Sequence, residues 1–175
     1  MRKISQVIFS VFTVIIFLLS TSVSVTAGDE IDLGDLITEA YDGEDCVAEF
    51  DPDQQLTQTG PDTYTLSLEV PEDGNIHFWI GCYWYDYHPP PPGDYTGYHE
   101  YSLKGFPLPD VGPGYLDVYT KAGDTGYDNI GITYLDLRNK PELIYTITIY
   151  IYGYAKDLDG DSDECDPTVT VTLIY

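Results

Sequence analysis

The stretch LIYTITIYIYGYA, residues 143 to 155, decides the fold. Leu143, Tyr145, Ile147, Ile149 and Ile151 fall on one side of an extended chain, with Ile144, Thr146, Thr148, Tyr150, Tyr152 and Tyr154 on the other. Successive side chains of a β-strand point to opposite faces, and β-branched and aromatic residues favour that geometry. Helical winding would mix the two sets around a cylinder, so the segment reads as a strand with one buried face.

Working outward, the same alternation recurs. In DTYTLSLEV (62 to 70), Tyr64, Leu66, Leu68 and Val70 share a face, and the turn Pro71-Glu72-Asp73-Gly74 closes the strand. NIHFWIGCYWYDYH (75 to 88) is apolar on both sides and reads as a central strand covered on both. PPPPG at 89 to 93 reads as a stiff connector. YLDVYT (115 to 120), NIGITYLDL (129 to 137) and TVTVTLIY (168 to 175) follow, the last with Val169, Val171, Leu173 and Tyr175 on one side. With CVAEF (46 to 50) and a short edge near 97 to 103, the count is about eight strands. That number and spacing predict an all-β fold, an antiparallel β-sandwich of jelly-roll or Ig-like type, because a lone sheet this apolar would leave one face bare. IDLGDLITEAY (31 to 41) stays open between a leading strand and one helical turn.

The first 27 residues carry Arg2 and Lys3, an apolar run of spanning-helix character but too short to span, and the small-residue site Val25-Thr26-Ala27. This is the order of a secretory signal peptide, cleaved or retained as an anchor. The organisation expected is therefore a signal peptide at 1 to 27, an acidic lead at 28 to 45, and a single β-sandwich domain at 46 to 175. The destination is the extracellular medium or the cell surface.

Thirty Asp and Glu stand against seven Lys and Arg, for a formal charge of -23. So few cations cannot displace counterions from phosphate, which excludes nucleic acid and anionic membrane surfaces as partners. The same acidity also suits solubility in high salt. Three cysteines, Cys46, Cys82 and Cys165, lie outside the signal. In an oxidising compartment one disulfide is expected, and the acidic, turn-like settings of Cys46 and Cys165 point to that pair, with Cys82 as a buried thiol.

Two stretches could carry chemistry. DLDGDSDECD (157 to 166) places Asp157, Asp159, Asp161, Asp163 and Asp166 in ten residues, and hard oxygen ligands at alternate positions suit calcium. The EF-hand register fails, since Ser162 stands where that loop needs Gly and Thr168 where it needs Glu. The second stretch is an aromatic stripe, Trp79, Tyr83, Tyr85 and Tyr87, with Tyr95, Tyr98 and Tyr101 beyond the prolines. Flat rings on a sheet stack on sugars or anchor a protein partner, and they also serve as plain sheet cover. No Ser lies in a nucleophile-elbow pattern, and His77, His88 and His99 are too dispersed for a zinc site, so no enzyme activity is expected.

The segments IDLGDLITEAYDG, DTYTLSLEVPEDGNIHF, YLDVYTKAGDTGYDNIG, LIYTITIYIYGYA and TVTVTLIY, in that order, resemble the pre-peptidase C-terminal type of secreted β-sandwich. The resemblance implies a non-catalytic module with calcium-assisted loops and adhesive or substrate-binding duties. The residues and the resemblance together lead to a secreted, calcium-stabilised module that binds a carbohydrate or protein ligand. The alternatives are a structural subunit of a surface assembly, self-associating through edge strands such as 143 to 155 or the terminal strand, and a carboxylate-dependent glycosidase.

Overall fold

The computed structural model of the protein describes residues 30–41, 45–87, 95–106, 114–121, 123–139 and 144–175. The expected signal peptide at 1 to 27, His88 and the PPPPG connector lie outside the described residues. Among those described, the structure is all-β, with eleven strands, one 3₁₀ turn at Leu137–Asn139, and no helix long and apolar enough to cross a membrane.

The strands are β1 (Glu30–Ala40), β2 (Val47–Pro52), β3 (Thr57–Gly60), β4 (Thr63–Glu69), β5 (Ile76–Asp86), β6 (Tyr95–Phe106), β7 (Gly114–Lys121), β8 (Thr125–Tyr134), β9 (Ile144–Asp157), β10 (Ser162–Cys165) and β11 (Thr168–Ile174). They form a four-stranded sheet ordered β2-β1-β5-β8 and a seven-stranded sheet ordered β3-β4-β11-β9-β6-β7, with β10 paired to β9. Neither sheet is purely antiparallel as expected: β1 runs parallel to β5, and β11 parallel to β4. Parallel neighbours need a long crossover between them. Here β2, β3 and β4 fill the first crossover, and most of the chain separates β4 from β11.

Alternation places the core as the sequence indicates. Ile147, Ile149, Val169, Val171, Leu173 and Leu68 are fully buried, and they join Leu33, Leu36, Phe78, Ile80 and Ile132 of the other sheet in one hydrophobic cluster. The rings of Phe50 and Tyr64 meet edge-on across the two sheets, with centroids 5.5 Å apart. Tyr101 reaches from β6 to the four-stranded sheet, where its hydroxyl donates to the Tyr83 carbonyl at 2.6 Å and also bonds Thr38.

Four expectations are corrected. First, the lead segment supplies β1, an interior strand, so the ordered fold starts upstream of residue 46. A β-bulge explains why its spacing was ambiguous: the β1–β5 register shifts between Asp32 and Asp35, and Gly34 sits at φ 117°. One extra residue lets Leu33 and Leu36 both face the core, an i, i+3 spacing that imitates a helix. A side chain at Gly34 would start 2.2 Å from the Asp51 carbonyl, so only glycine fits.

Second, β5 is central in its sheet but covered on one face only, because Trp79, Tyr83 and Tyr85 are half-buried on the outside and Tyr87 is exposed. Third, β9 and β11 are interior strands, so neither offers the edge that was expected for self-association; the outer strands are β2 and β8 in one sheet, β3 and β7 in the other. Fourth, Cys46 and Cys165 are free thiols rather than a disulfide. Cys46 sits against Ala155, while Cys165 pairs with Gly153 and joins the main core, two positions back along β9. Two residues of strand span about 6.6 Å, beyond the roughly 4 Å that bridged Cβ atoms require. Cys82 is the buried thiol that the sequence indicates, and burial pushes its pKa up to about 12.

Candidate functional site

The acidic hairpin does not gather its carboxylates. Asp157 is buried at the end of β9, and its Oδ1 accepts the Gly160 amide at 2.8 Å and the Asp161 amide at 3.0 Å, closing the turn from within. Asp163 Oδ2 accepts the Ala48 amide at 2.8 Å, tying β10 to β2. Asp159, Asp161 and Asp166 are exposed. Asp161 and Asp163 line an open pocket of about 340 Å³ with Asp45, Cys46 and Ser162, and the Cys46 thiol donates to the Asp161 carbonyl at 3.5 Å. Among the described residues no group of three or more His, Cys, Asp or Glu is arranged to hold a metal ion. Backbone amides thus occupy one oxygen each of Asp157 and Asp163, while Asp157 Oδ2 is buried with no hydrogen-bond partner among the described residues.

The aromatic stripe, by contrast, assembles. The alternation of β5 puts Trp79, Tyr83, Tyr85 and Tyr87 on the outer face of the four-stranded sheet, and its neighbours extend the row. From β8, Tyr127 is registered with Tyr83, and the rings lie 4.5 Å apart at 37°. Beyond β1, Tyr41 stacks on Tyr87 at 4.6 Å and 3°, with its hydroxyl on Glu39. Tyr85 and Tyr87 stack at 6.0 Å and 21°. Tyr98 and Tyr101 do not join this row, because β6 belongs to the other sheet: Tyr98 lies on that sheet's outer face and Tyr101 in the core.

Gly81 interrupts the row between Trp79 and Tyr83, and a carboxylate fills the gap. A β-carbon at Gly81 would stand 2.1 Å from Asp35 Oδ1 and 3.1 Å from the Tyr127 ring. The β1 bulge that turns Leu33 and Leu36 inward also turns Asp32 and Asp35 outward. Asp32 is registered with Trp79, and its Oδ1 accepts the Gly34 amide at 2.8 Å. Burial raises the pKa of Asp32, partly opposed by that amide bond, and burial with the charges of Asp51 and Asp53 raises that of Asp35. The Tyr83 phenol is raised as well, by desolvation first and then by Asp35 and neighbouring Tyr127.

Trp79, Tyr83, Tyr85 and Tyr87 were legible in the sequence by alternation alone. Tyr41, Tyr127, Asp32, Asp35 and Glu39 were not, since a parallel β1–β5 pairing and a bulge bring them in. The i, i+3 pair of leucines flanking Gly34 was the one local sign of that bulge.

Such a surface can stack apolar ring faces on its aromatics and accept hydrogen bonds from hydroxyl or amino groups on its carboxylates. No protein-family model, curated protein or solved structure matches the chain. The resemblance to pre-peptidase C-terminal domains therefore rests on the residues quoted for it.

Proposed function

We propose that the protein is a secreted, non-catalytic β-sandwich that binds a carbohydrate on the outer face of its four-stranded sheet. The observation that carries this reading is the row Trp79, Tyr83, Tyr85 and Tyr87, on one face, with Asp35 set into its gap at Gly81. Aromatic rings exposed to water cost free energy, and a row of them on one rigid strand is preorganised for a ligand with flat apolar faces. Tyr101 supports the row from beneath, through its bond to the Tyr83 carbonyl. Export through the signal at 1 to 27 would place this face at the cell surface or in the medium.

Tryptophan fluorescence tests the reading directly. The chain has only two tryptophans, so a Trp84→Phe variant leaves Trp79 as sole reporter. Saturable change in its emission on titration with soluble oligosaccharides, abolished in Tyr83→Ala, which keeps the reporter, is the expected result. Silence across neutral, acidic and amino oligosaccharides would refute sugar binding.

Calcium belongs to the same proposal as a weak stabiliser, taken up in the pocket beside Asp45, Asp161 and Asp163. Its affinity would lie in the roughly 0.1 to 1 mM range of extracellular modules. An ion preferring the folded state adds roughly 2.7 kcal/mol at one hundred times its dissociation constant, so melting with calcium and with chelator should differ plainly. Equal midpoints would remove the ion.

A further inference from the structure

The four strands beneath the aromatic face, β1, β2, β5 and β8, contain eight acidic residues, one of which, Asp86, is buried against β6 and β7, and no Lys or Arg. The cations described elsewhere lie on β6, β7 and β9 of the other sheet and, as Arg138, in the 3₁₀ turn. An anionic sugar approaching this face would meet carboxylates with no countercharge, and each would lose water without gaining a partner. A neutral sugar would stack and donate hydroxyls. A sugar carrying ammonium groups would do both and also neutralise the acids set among the rings.

Position adds to charge. Asp35 does not sit at the rim; it occupies the gap in the row itself, next to Tyr127 and between Trp79 and Tyr83. Glu39, bonded to the Tyr41 hydroxyl, flanks the Tyr41–Tyr87 stack further along the same strand. Asp35 thus lies within the row of rings, and Glu39 lies beside it, registered with Tyr85 on the neighbouring strand. A partner that matches them must present apolar ring faces with cations at their edges along a stiff chain. A polymer of amino sugars has one amine on each ring and meets that requirement, whereas a lysine-rich peptide supplies the charge without the flat apolar face. Cations are also drawn to the faces of Trp and Tyr rings, which adds to the preference.

We infer that the ligand of this face is a polycationic amino sugar, of the class of β-linked glucosamine oligomers with free amines. The inference rests on the carbohydrate-binding reading given above and narrows it to one chemistry.

The test compares three oligomers of equal length, a glucosamine, an N-acetylglucosamine and a glucose oligomer, together with an oligolysine peptide, by titration of the full chain. At low salt and a pH where the amines are charged, the glucosamine oligomer should bind about 5-fold more tightly than its N-acetylated form, as one exposed carboxylate–ammonium contact of about 1 kcal/mol would give. The margin should shrink in high salt, where exposed charges are screened. Asp35→Asn should remove most of the margin and keep the neutral binding. The double variant Trp79→Ala, Tyr83→Ala should lose all three oligomers while retaining the wild-type circular dichroism spectrum.

If the N-acetylated oligomer binds as tightly as the free amine, the amino-sugar assignment fails while carbohydrate binding stands. No binding of any oligomer removes the underlying reading as well. Oligolysine binding at the strength of the glucosamine oligomer, or glucosamine binding that survives loss of both rings, would mean diffuse attraction to an acidic surface and overturn the assignment.

Discussion

The outer faces of the two sheets differ, although both are rich in tyrosine. On the four-stranded sheet the rings of β5 are flanked by acids from β1 and by Tyr127 from β8, and its strands carry eight acids, of which Asp86 is buried on the inner side, and no Lys or Arg. On the seven-stranded sheet the strands β3, β4, β11 and β9 present Thr57, Thr65, Thr170 and Thr148 in register, an uncharged hydroxyl surface. Its tyrosines Tyr98, Tyr119, Tyr152 and Tyr154 lie towards β6 and β7, where Lys104 and Lys156 are also exposed. Two of these phenols are occupied: Tyr98 donates to Glu100 and Asp117, and Tyr152 donates to Glu164. The same residue type therefore serves two ends. On one sheet tyrosines bond acids of that same sheet, whereas on the other the rings line up around a carboxylate in a gap, the arrangement proposed to bind a sugar.

The largest expected effect lies in the layer both faces share. His99 is fully buried on β6, neither ring nitrogen has a hydrogen-bond partner, and desolvation lowers its pKa to about 4. The unfolded chain takes up that proton near pH 6.5, so stability should be fully present above 6.5, fall as the pH drops towards 4, and level off below. The loss should reach roughly 3 kcal/mol, at 1.36 kcal/mol per pH unit. Asp32 and Asp35, with raised values, act in the opposite sense and gain stability on acidification. Subtracting the denaturation curves of His99→Leu from those of wild type at each pH isolates the histidine. A difference that does not vary with pH would show that the ring is not held neutral.

Next in size is the contrast between the faces. Trp79→Ala with Tyr83→Ala should weaken oligosaccharide binding about 100-fold, at about 1.4 kcal/mol for each ring. Tyr152→Ala with Tyr154→Ala should leave affinity within about 2-fold. Equal losses from both pairs would erase the distinction between the two faces.

A smaller effect tests the connection between the layers. Tyr101→Phe deletes the hydroxyl that bonds the Tyr83 carbonyl and Thr38, while the Thr38 hydroxyl still donates to that carbonyl at 3.3 Å, and should cost about 0.5 to 1.5 kcal/mol in chemical denaturation. Ligand affinity should fall with it, because Tyr83 loses its support from beneath. Unchanged affinity would mean that the row is rigid without this anchor. The smallest effect is expected on the hydroxyl surface, where Thr170→Val on half-buried β11 should shift stability by no more than about 0.5 kcal/mol and leave sugar binding alone.

Much of this was legible in the chain itself. Tyr64, Leu66 and Leu68, then Ile147, Ile149 and Ile151, then Val169, Val171 and Leu173 turn inward as alternation requires. Strands β3 and β10 were not legible. Asp and Ser disfavour strands, and Ser162–Cys165 is extended because the edge of β9 beyond Pro167 offers it a ladder, not because of its own preference. The roles of Asp157 and Asp163 were hidden for a related reason, since each gives one carboxylate oxygen to backbone amides that local spacing cannot reveal.

By itself, then, the sequence determined that the chain is built of strands, which side of most of them is buried, and that Trp79, Tyr83 and Tyr85 of β5 and Tyr87 just beyond it share a face. These follow from the two-residue period of an extended chain, a local property. Only the tertiary structure decided that β1 lies parallel to β5, that a bulge at Gly34 swings Asp32 and Asp35 to the outside, and that Asp35 settles over Gly81. Those are pairings between residues distant in the chain, chosen by the burial that two sheets achieve together and not by the preferences of any one segment.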